Sequence, residues 1–385
     1  MLYLYPCLGE VELAIFMKST FNQNNLINFS NSFLKHFNAS TFHETIKEVD
    51  ATLKGHKKVA VILFDGMGRN ITRKHLSTKS FIRKHYLCTI NSTYPPTTTA
   101  ATTGFLTGKY PIETGWMSWA QYFDKYQRNV ILFKNTDYNT EEKLEPASIA
   151  INELPIKTIF EIIKENNPNL DVFDVKRKPI DPKGPKTLKG FETKINTTLK
   201  HAKECFAYFY FDSPDYEMHA YGINHKRIHA YVKNINNMVK RVVNNNKDTV
   251  FFVFADHGHI NVKFLDICEH EDLYALLDKP ISFEKRTANF FVKDDKQEEF
   301  KQLFNKYYGH YFKLFFKQEV LDDELFGKGD VNPKALTFIG DFIACSVSKY
   351  AIYASKEMKD KQVFKGHHAG MTLNEMLIDV SAYNV

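Results

Sequence analysis

The sequence is poor in cysteine, and the five it has (Cys7, Cys88, Cys205, Cys268 and Cys345) are scattered, odd in number and never arranged as C-x-x-C. That excludes a disulfide scaffold and a cysteine-built zinc site, and it suits a reducing compartment. Long apolar runs are missing too. No segment approaches the roughly 20 apolar residues of a membrane span, and Glu10 and Glu12 interrupt the apolar N-terminal stretch where a signal peptide would have its core. The expectation is a cytoplasmic protein without a membrane partner. Neither sign of charge dominates: 51 Lys+Arg against 45 Asp+Glu leave +6, with no long basic block, so no nucleic-acid partner is indicated. There is no internal repeat and no low-complexity tract.

What is abundant is core material. Hydrophobic residues make up 43% of the 385, charged residues 25% and aromatics 14%, mostly among the 33 Phe, which is ordinary globular usage with a generous aromatic share. At roughly 100–200 residues per domain, this length allows two or three domains or one large enzyme domain with insertions.

Three apolar runs share one design. Val59–Phe64 ends at Asp65-Gly66, Phe206–Phe211 at Asp212-Ser213-Pro214-Asp215, and Val250–Ala255 at Asp256-His257-Gly258. Continuous runs of this length read as strands buried on both faces, and helical patterns such as Ile156–Lys164 and Tyr231–Val243 lie between them. The fold class that follows is α/β, with a largely parallel central sheet sandwiched between helices. Sites in such sheets collect at the carboxyl ends of strands, where these acids stand. Residues 263–345 hold further short elements, including a charged helix-like stretch from Asp294 to Tyr307, and read as a smaller cap inserted into one domain spanning 1–385. Lys176–Lys189, basic and Pro-rich, reads as a solvated loop. The pattern Thr372-Leu373-Asn374-Glu375 predicts a capped helix running into Met376-Leu377-Ile378.

Four patterns carry chemistry. In Pro95-Pro96 followed by Thr97-Thr98-Thr99 and small residues to Gly108, the start of a helix offers backbone N–H groups to a phosphate, and a first-turn threonine can act as nucleophile once a cation lowers its pKa. In Asp215-Tyr216-Glu217-Met218-His219, an acid and an imidazole four apart face one way and can chelate one metal; Zn²⁺ suits them, with Mn²⁺ or Fe as rivals. Asp256-His257-Gly258 follows a buried strand, where an acid and an imidazole are costly unless paired or metal-bound. Gly366-His367-His368-Ala369-Gly370 supplies adjacent histidines near the C-terminus. Each pattern alone also has a plain structural reading, as a capped helix start, a helix surface pair or a polar loop.

In this order, with Asp65-Gly66 at the front, the patterns resemble the alkaline phosphatase superfamily, and within it the type I phosphodiesterase/nucleotide pyrophosphatase branch, over roughly residues 55–380. The resemblance implies a metal-dependent phosphate-ester hydrolase with two divalent metal ions, usually zinc, with Mn²⁺ as the alternative. It places the nucleophile ten residues before the Gly of a Thr-Gly pair, which here is Thr98, with Thr97 and Thr99 one register step away. One metal would take Asp65, Thr98, Asp256 and His257. The other would take Asp215, His219 and a late histidine, with His368 fitting better than His367 because His368-Ala369-Gly370-Met371-Thr372 is similar to the family's ending. Ala369 departs from the usual Gly. A larger departure is Trp119, which stands where the branch has a phosphate-stabilising Asn; Ser118 and Gln121 are nearby substitutes. Trp119 and Gln121 are therefore the expected substrate-binding residues, and Trp116, Trp119 and Tyr122 form either an aromatic wall for a base or sugar or ordinary packing. Asp212 and His259 are expected to support ligands rather than to be ligands, and His225 and His229 to lie at the surface. The implied partner is a small phosphate ester or nucleotide. Alternatives are a phosphomonoesterase or phosphomutase-like member of the superfamily, and a non-catalytic nucleotide-binding protein. A sulfatase fits less well, since the nucleophile window offers neither Cys nor Ser.

Overall fold

The computed structural model describes residues 24–144, 148–177, 180–355 and 364–385. Cys7, the apolar N-terminal stretch and Lys178-Pro179 of the basic loop lie outside them. The six-stranded central sheet has the spatial order Tyr86–Asn91, Leu377–Tyr383, Val250–Phe254, Lys58–Phe64, Cys205–Phe211, Asp171–Lys176. Four adjacent strands, from Val250–Phe254 to Asp171–Lys176, run parallel. Leu377–Tyr383 lies antiparallel to both of its neighbours.

The apolar runs are continuous because both faces of the sheet are covered. Side chains alternate sides along a strand. Thus Phe206 and Tyr208 meet Phe33, Phe105 and Phe160 on one face, while Phe209 and Phe211 meet Phe191 on the other. The first face is covered by the helices Leu26–His36, Thr98–Thr107 and Ile159–Asn166, and Leu188–His201 lies on the second. Burying each such ring contributes about 1.5–3 kcal/mol. Lys226–Asn245 shows how the helices are written: Ile228, Val232, Ile235, Val239 and Val242 form the buried stripe, and His225 caps the first turn by accepting from the Arg227 N–H. His225 and His229 belong to this helix start, away from the acids.

A second, antiparallel sheet of seven strands has its own apolar cores. The segment anticipated at 263–345 supplies four of these strands, between Ser282 and Ser346. The remaining three come from residues 120–137, so this sheet draws on two stretches of chain. The charged stretch forms the helix Gln297–Tyr308. The C-terminal prediction is corrected: the helix after Thr372 lasts one turn, Leu373–Met376, and gives way to the strand Leu377–Tyr383. Glu375 is drawn into an ion pair with Arg286, and Ile378, Val380 and Ala382 enter the sheet core, which outweighs the local helix signal. Among the described residues no helix is long and apolar enough to cross a membrane.

Candidate active site and metal centre

Three strand ends and one helix start converge. Asp65 follows Lys58–Phe64, Asp215 begins the helix Asp215–Tyr221, and Asp256-His257 follows Val250–Phe254. Gly66 lets them meet. Its φ is +70°, and a Cβ there would lie 2.9 Å from the Asp215 Cβ. The turns after the two central strands also touch, since a Cβ on Gly68 would lie 2.6 Å from the Gly258 Cα. Gly66→Ala therefore adds left-handed strain to a clash and is expected to destabilise by about 1–3 kcal/mol, as read from a shifted urea midpoint at unchanged slope.

Thr98 opens the ten-residue helix Thr98–Thr107. Its hydroxyl lies 3.3 and 3.4 Å from the two Asp65 carboxylate oxygens and 3.2 Å from His257 Nε2. The neighbouring threonines face elsewhere. The Thr97 hydroxyl donates to Glu284 at 2.5 Å, and the Thr99 hydroxyl is buried without a hydrogen-bond partner. Of the three, Thr98 alone faces the acids.

The histidines are held from behind. His257 Nδ1 meets the Gly258 carbonyl at 2.9 Å, His219 Nδ1 the Gly366 carbonyl at 3.0 Å, and His368 Nδ1 the Pro96 carbonyl at 3.0 Å. A carbonyl only accepts, so each Nδ1 carries the proton, and in the neutral ring each Nε2 presents a lone pair. Those lone pairs point at anions: His257 Nε2 lies 3.4 Å from Asp65 and 3.6 Å from Asp256, His219 Nε2 lies 3.2 Å from Asp215, and His368 Nε2 lies 3.8 Å from Asp215. Lone pairs facing carboxylates repel unless a cation stands between them. Asp215 Oδ1 and Asp256 Oδ2 are moreover buried with no hydrogen-bond partner. The donor set thus fits divalent metal, and it forms three groups: Asp65, Asp256 and His257; Asp215, His257 and His368; Asp215, His219 and His259.

The electrostatics agree. Burial, then the nearby Asp256 and Asp215, push the Asp65 carboxyl well up; the Tyr210 hydroxyl, which donates to it, only partly offsets this. Asp256 is raised, chiefly by burial. Asp215 is also desolvated by burial, but the imidazoles of His219, His259 and His257 together more than offset this and hold it low; in return, with no cation bound, Asp215 raises His219 against its own burial. Buried acids packed this closely call for positive charge.

Other expected residues fall into place. His367 belongs to none of the metal groups, its Nδ1 turned to the His368 backbone. Asp212 pairs with Arg177 of the basic loop and belongs to none of the metal groups. Gln121 does not reach the site: its carbonyl accepts from the Met117 and Ser118 N–H groups at 2.7 and 3.4 Å, and its amide donates to the Gly115 carbonyl, so the whole side chain is used to hold a turn. Trp119 is half-buried beneath Lys134 at 5.5 Å, and its backbone N–H meets Glu284, the acid that also holds Thr97. Trp116 donates its indole N–H to the Leu154 carbonyl inside the cap core, and the Tyr122 hydroxyl donates to Gln127. Packing, not a wall for a base, is the role of Trp116. Ala369 adopts φ +77°, a glycine-favouring conformation, while its carbonyl accepts from the Thr287 hydroxyl at 2.5 Å. Sequence reasoning missed Glu284 and Arg286, which come from the cap and carry no motif, and set aside His259, although its place two residues after His257 was a signal.

Solved structures share this fold. Mouse ectonucleotide pyrophosphatase/phosphodiesterase 5, an inactive Thr-to-Ala variant in complex with AMP, is 15% identical and aligns with a TM-score of 0.62 over 85% of this chain and 88% of that one. The human protein of the same name is 14% identical, with a TM-score of 0.61 over 85% and 87%. No curated protein matches the sequence. The family profile described as type I phosphodiesterase/nucleotide pyrophosphatase matches residues 59–371, from the first central strand to the loop after His368, and the chain belongs to that family of phosphoric ester hydrolases.

Proposed function

We propose that the chain is a metal-dependent phosphodiesterase or nucleotide pyrophosphatase that acts through Thr98 on a small phosphate ester or nucleotide. The observation that carries this reading is the Thr98 hydroxyl, set between Asp65 and the His257 lone pair at the head of a helix. In the reading, Asp65, Thr98, Asp256 and His257 hold one divalent cation, and Asp215, His219 and His368 hold a second; imidazole and carboxylate favour Zn²⁺, with Mn²⁺ as the rival. Bound there, the cations would lower the pKa of the attacking hydroxyl and neutralise charge on the phosphoryl oxygens and the leaving oxygen. Thr98 Oγ1 forms the bond to phosphorus as the bond to the leaving oxygen breaks, and water then cleaves the phosphothreonine ester and restores the hydroxyl. Backbone N–H groups of the Thr98–Thr107 helix face the non-bridging oxygens. The AMP and the inactivating Thr-to-Ala change in the mouse structure support both the substrate class and the nucleophile.

Trp119 has no amide to offer where relatives carry Asn, which favours monoester chemistry as the second reading. A panel comparing p-nitrophenyl phosphate with a nucleoside phosphodiester, with and without chelator, decides. Higher kcat/KM on the diester and loss of activity with chelator are expected. Monoester preference supports the second reading, and metal-independent turnover refutes both. Asp215→Ala is expected to lose one equivalent of metal by elemental analysis, because Asp215 belongs to two of the three ligand groups; two retained equivalents contradict the division of ligands.

A further inference from the structure

The ring of His259 is completely buried, and its Nε2 lies 3.3 Å from Asp215 Oδ1. The two atoms nevertheless do not hydrogen-bond, and neither finds another partner. A histidine that merely oriented Asp215 would donate to it; this one faces it without doing so. We infer that His259 is a direct ligand, through Nε2, of the cation held by Asp215 and His219, so that this cation is bound by one imidazole more than the order of motifs assigns. The inference rests on the two-metal reading above.

Three further features support direct ligation. The ligand atoms of Asp215, His219 and His259 lie within 4.8 Å of one another, and the rings of His219 and His259 meet edge to face at 4.7 Å. Gly366 serves both rings: its carbonyl takes the His219 Nδ1 proton, and a Cβ on it would lie 2.7 Å from His259 Cε1. A side chain at 366 would fill the space the imidazole occupies. The backbone of His259 is fixed on both sides, by the Asn70 amide donating to its carbonyl at 2.7 Å and by the antiparallel pairing of Ile260–Asn261 with Gly366–His367. A carboxylate with three imidazole ligands (His219, His259 and His368) selects a borderline-soft cation over Mg²⁺ or Ca²⁺.

The test counts imidazoles on each metal in the full-length protein. With cadmium loaded into nitrogen-labelled wild-type protein, NMR is expected to show three histidine rings coupled to one cadmium and one ring to the other. Two rings on the first cadmium overturn the inference, and no bound cadmium or zinc at all overturns the two-metal reading beneath it. In parallel, His259→Gln and His259→Ala are loaded with zinc. Each is expected to lose one imidazole by X-ray absorption and to bind the weaker zinc at least about 100-fold less tightly, while the metal-free melting temperature stays within a few degrees of wild type. An unchanged imidazole count in a folded variant overturns the proposal, whatever its activity.

Discussion

Thr98→Ala lowers kcat/KM at least about a thousandfold, while the protein stays folded and retains metal at Asp65, Asp256 and His257. The expectation is this large because the substitution removes the attacking atom and little else. Alanine is a good helix residue, and the neighbouring Thr102 hydroxyl bonds the Thr98 backbone carbonyl, which the change leaves in place. The helix start is held independently by Thr97 and Glu284. Thr98→Ser, which keeps the hydroxyl, retains most of the lost factor. Steady-state rates with metal content measured on the same samples check both variants. A Thr98→Ala enzyme of near-normal rate with its metals in place refutes the assignment.

Arg286→Ala is expected to destabilise the protein by about 3–5 kcal/mol. Arg286 is fully buried; Nε and one terminal nitrogen donate to the two Glu375 oxygens at 2.7 and 2.8 Å, and the guanidinium also reaches the Ser348 and Tyr350 carbonyls. Glu375 in turn accepts from the Gly370 N–H at 2.7 Å and the Thr372 hydroxyl at 2.6 Å, and its own carbonyl accepts from the Gly258 N–H at 2.7 Å. Removing the arginine strands a buried carboxylate in the loop that follows His368. Denaturant unfolding measures the loss. The double change Arg286→Met with Glu375→Gln, which leaves no uncompensated charge, is expected to cost less than Arg286→Ala alone; a double variant as unstable as the sum of its single changes contradicts this account.

The parts legible in the sequence were those where chemistry and local pattern coincide. Lys58–Phe64, Cys205–Phe211 and Val250–Phe254 were readable because burial on both faces leaves no polar alternation, and the acids after them because a strand end leaves little choice of place. The cap was harder. The strands of residues 120–137 pair locally with one another and join the rest of their sheet where Ala120 meets Phe283 at a single register position, so nothing local announces the partnership. The helix written at Thr372–Glu375 was overridden by a distant arginine. Gln121 was drawn to the site by its proximity to Trp119, yet backbone groups at 115–118 consume its amide. His259 was set aside because sequence order cannot tell a ring that backs a ligand from one that faces the same carboxylate.

The position of Leu377–Tyr383 has a consequence for how the molecule comes into being. Because this strand slots between Tyr86–Asn91 and Val250–Phe254, the growing chain carries an open sheet edge along Val250–Phe254 until residues 377–383 have been made. Such an edge is a template for wrong pairing. The turn bearing Asp256 and His257 and the loop bearing His368 are joined by Glu375, two residues before that strand begins. Competence for chemistry therefore waits on residues 375–383, and a chain cut short before residue 375 would leave the edge exposed and the catalytic turn without its anchor.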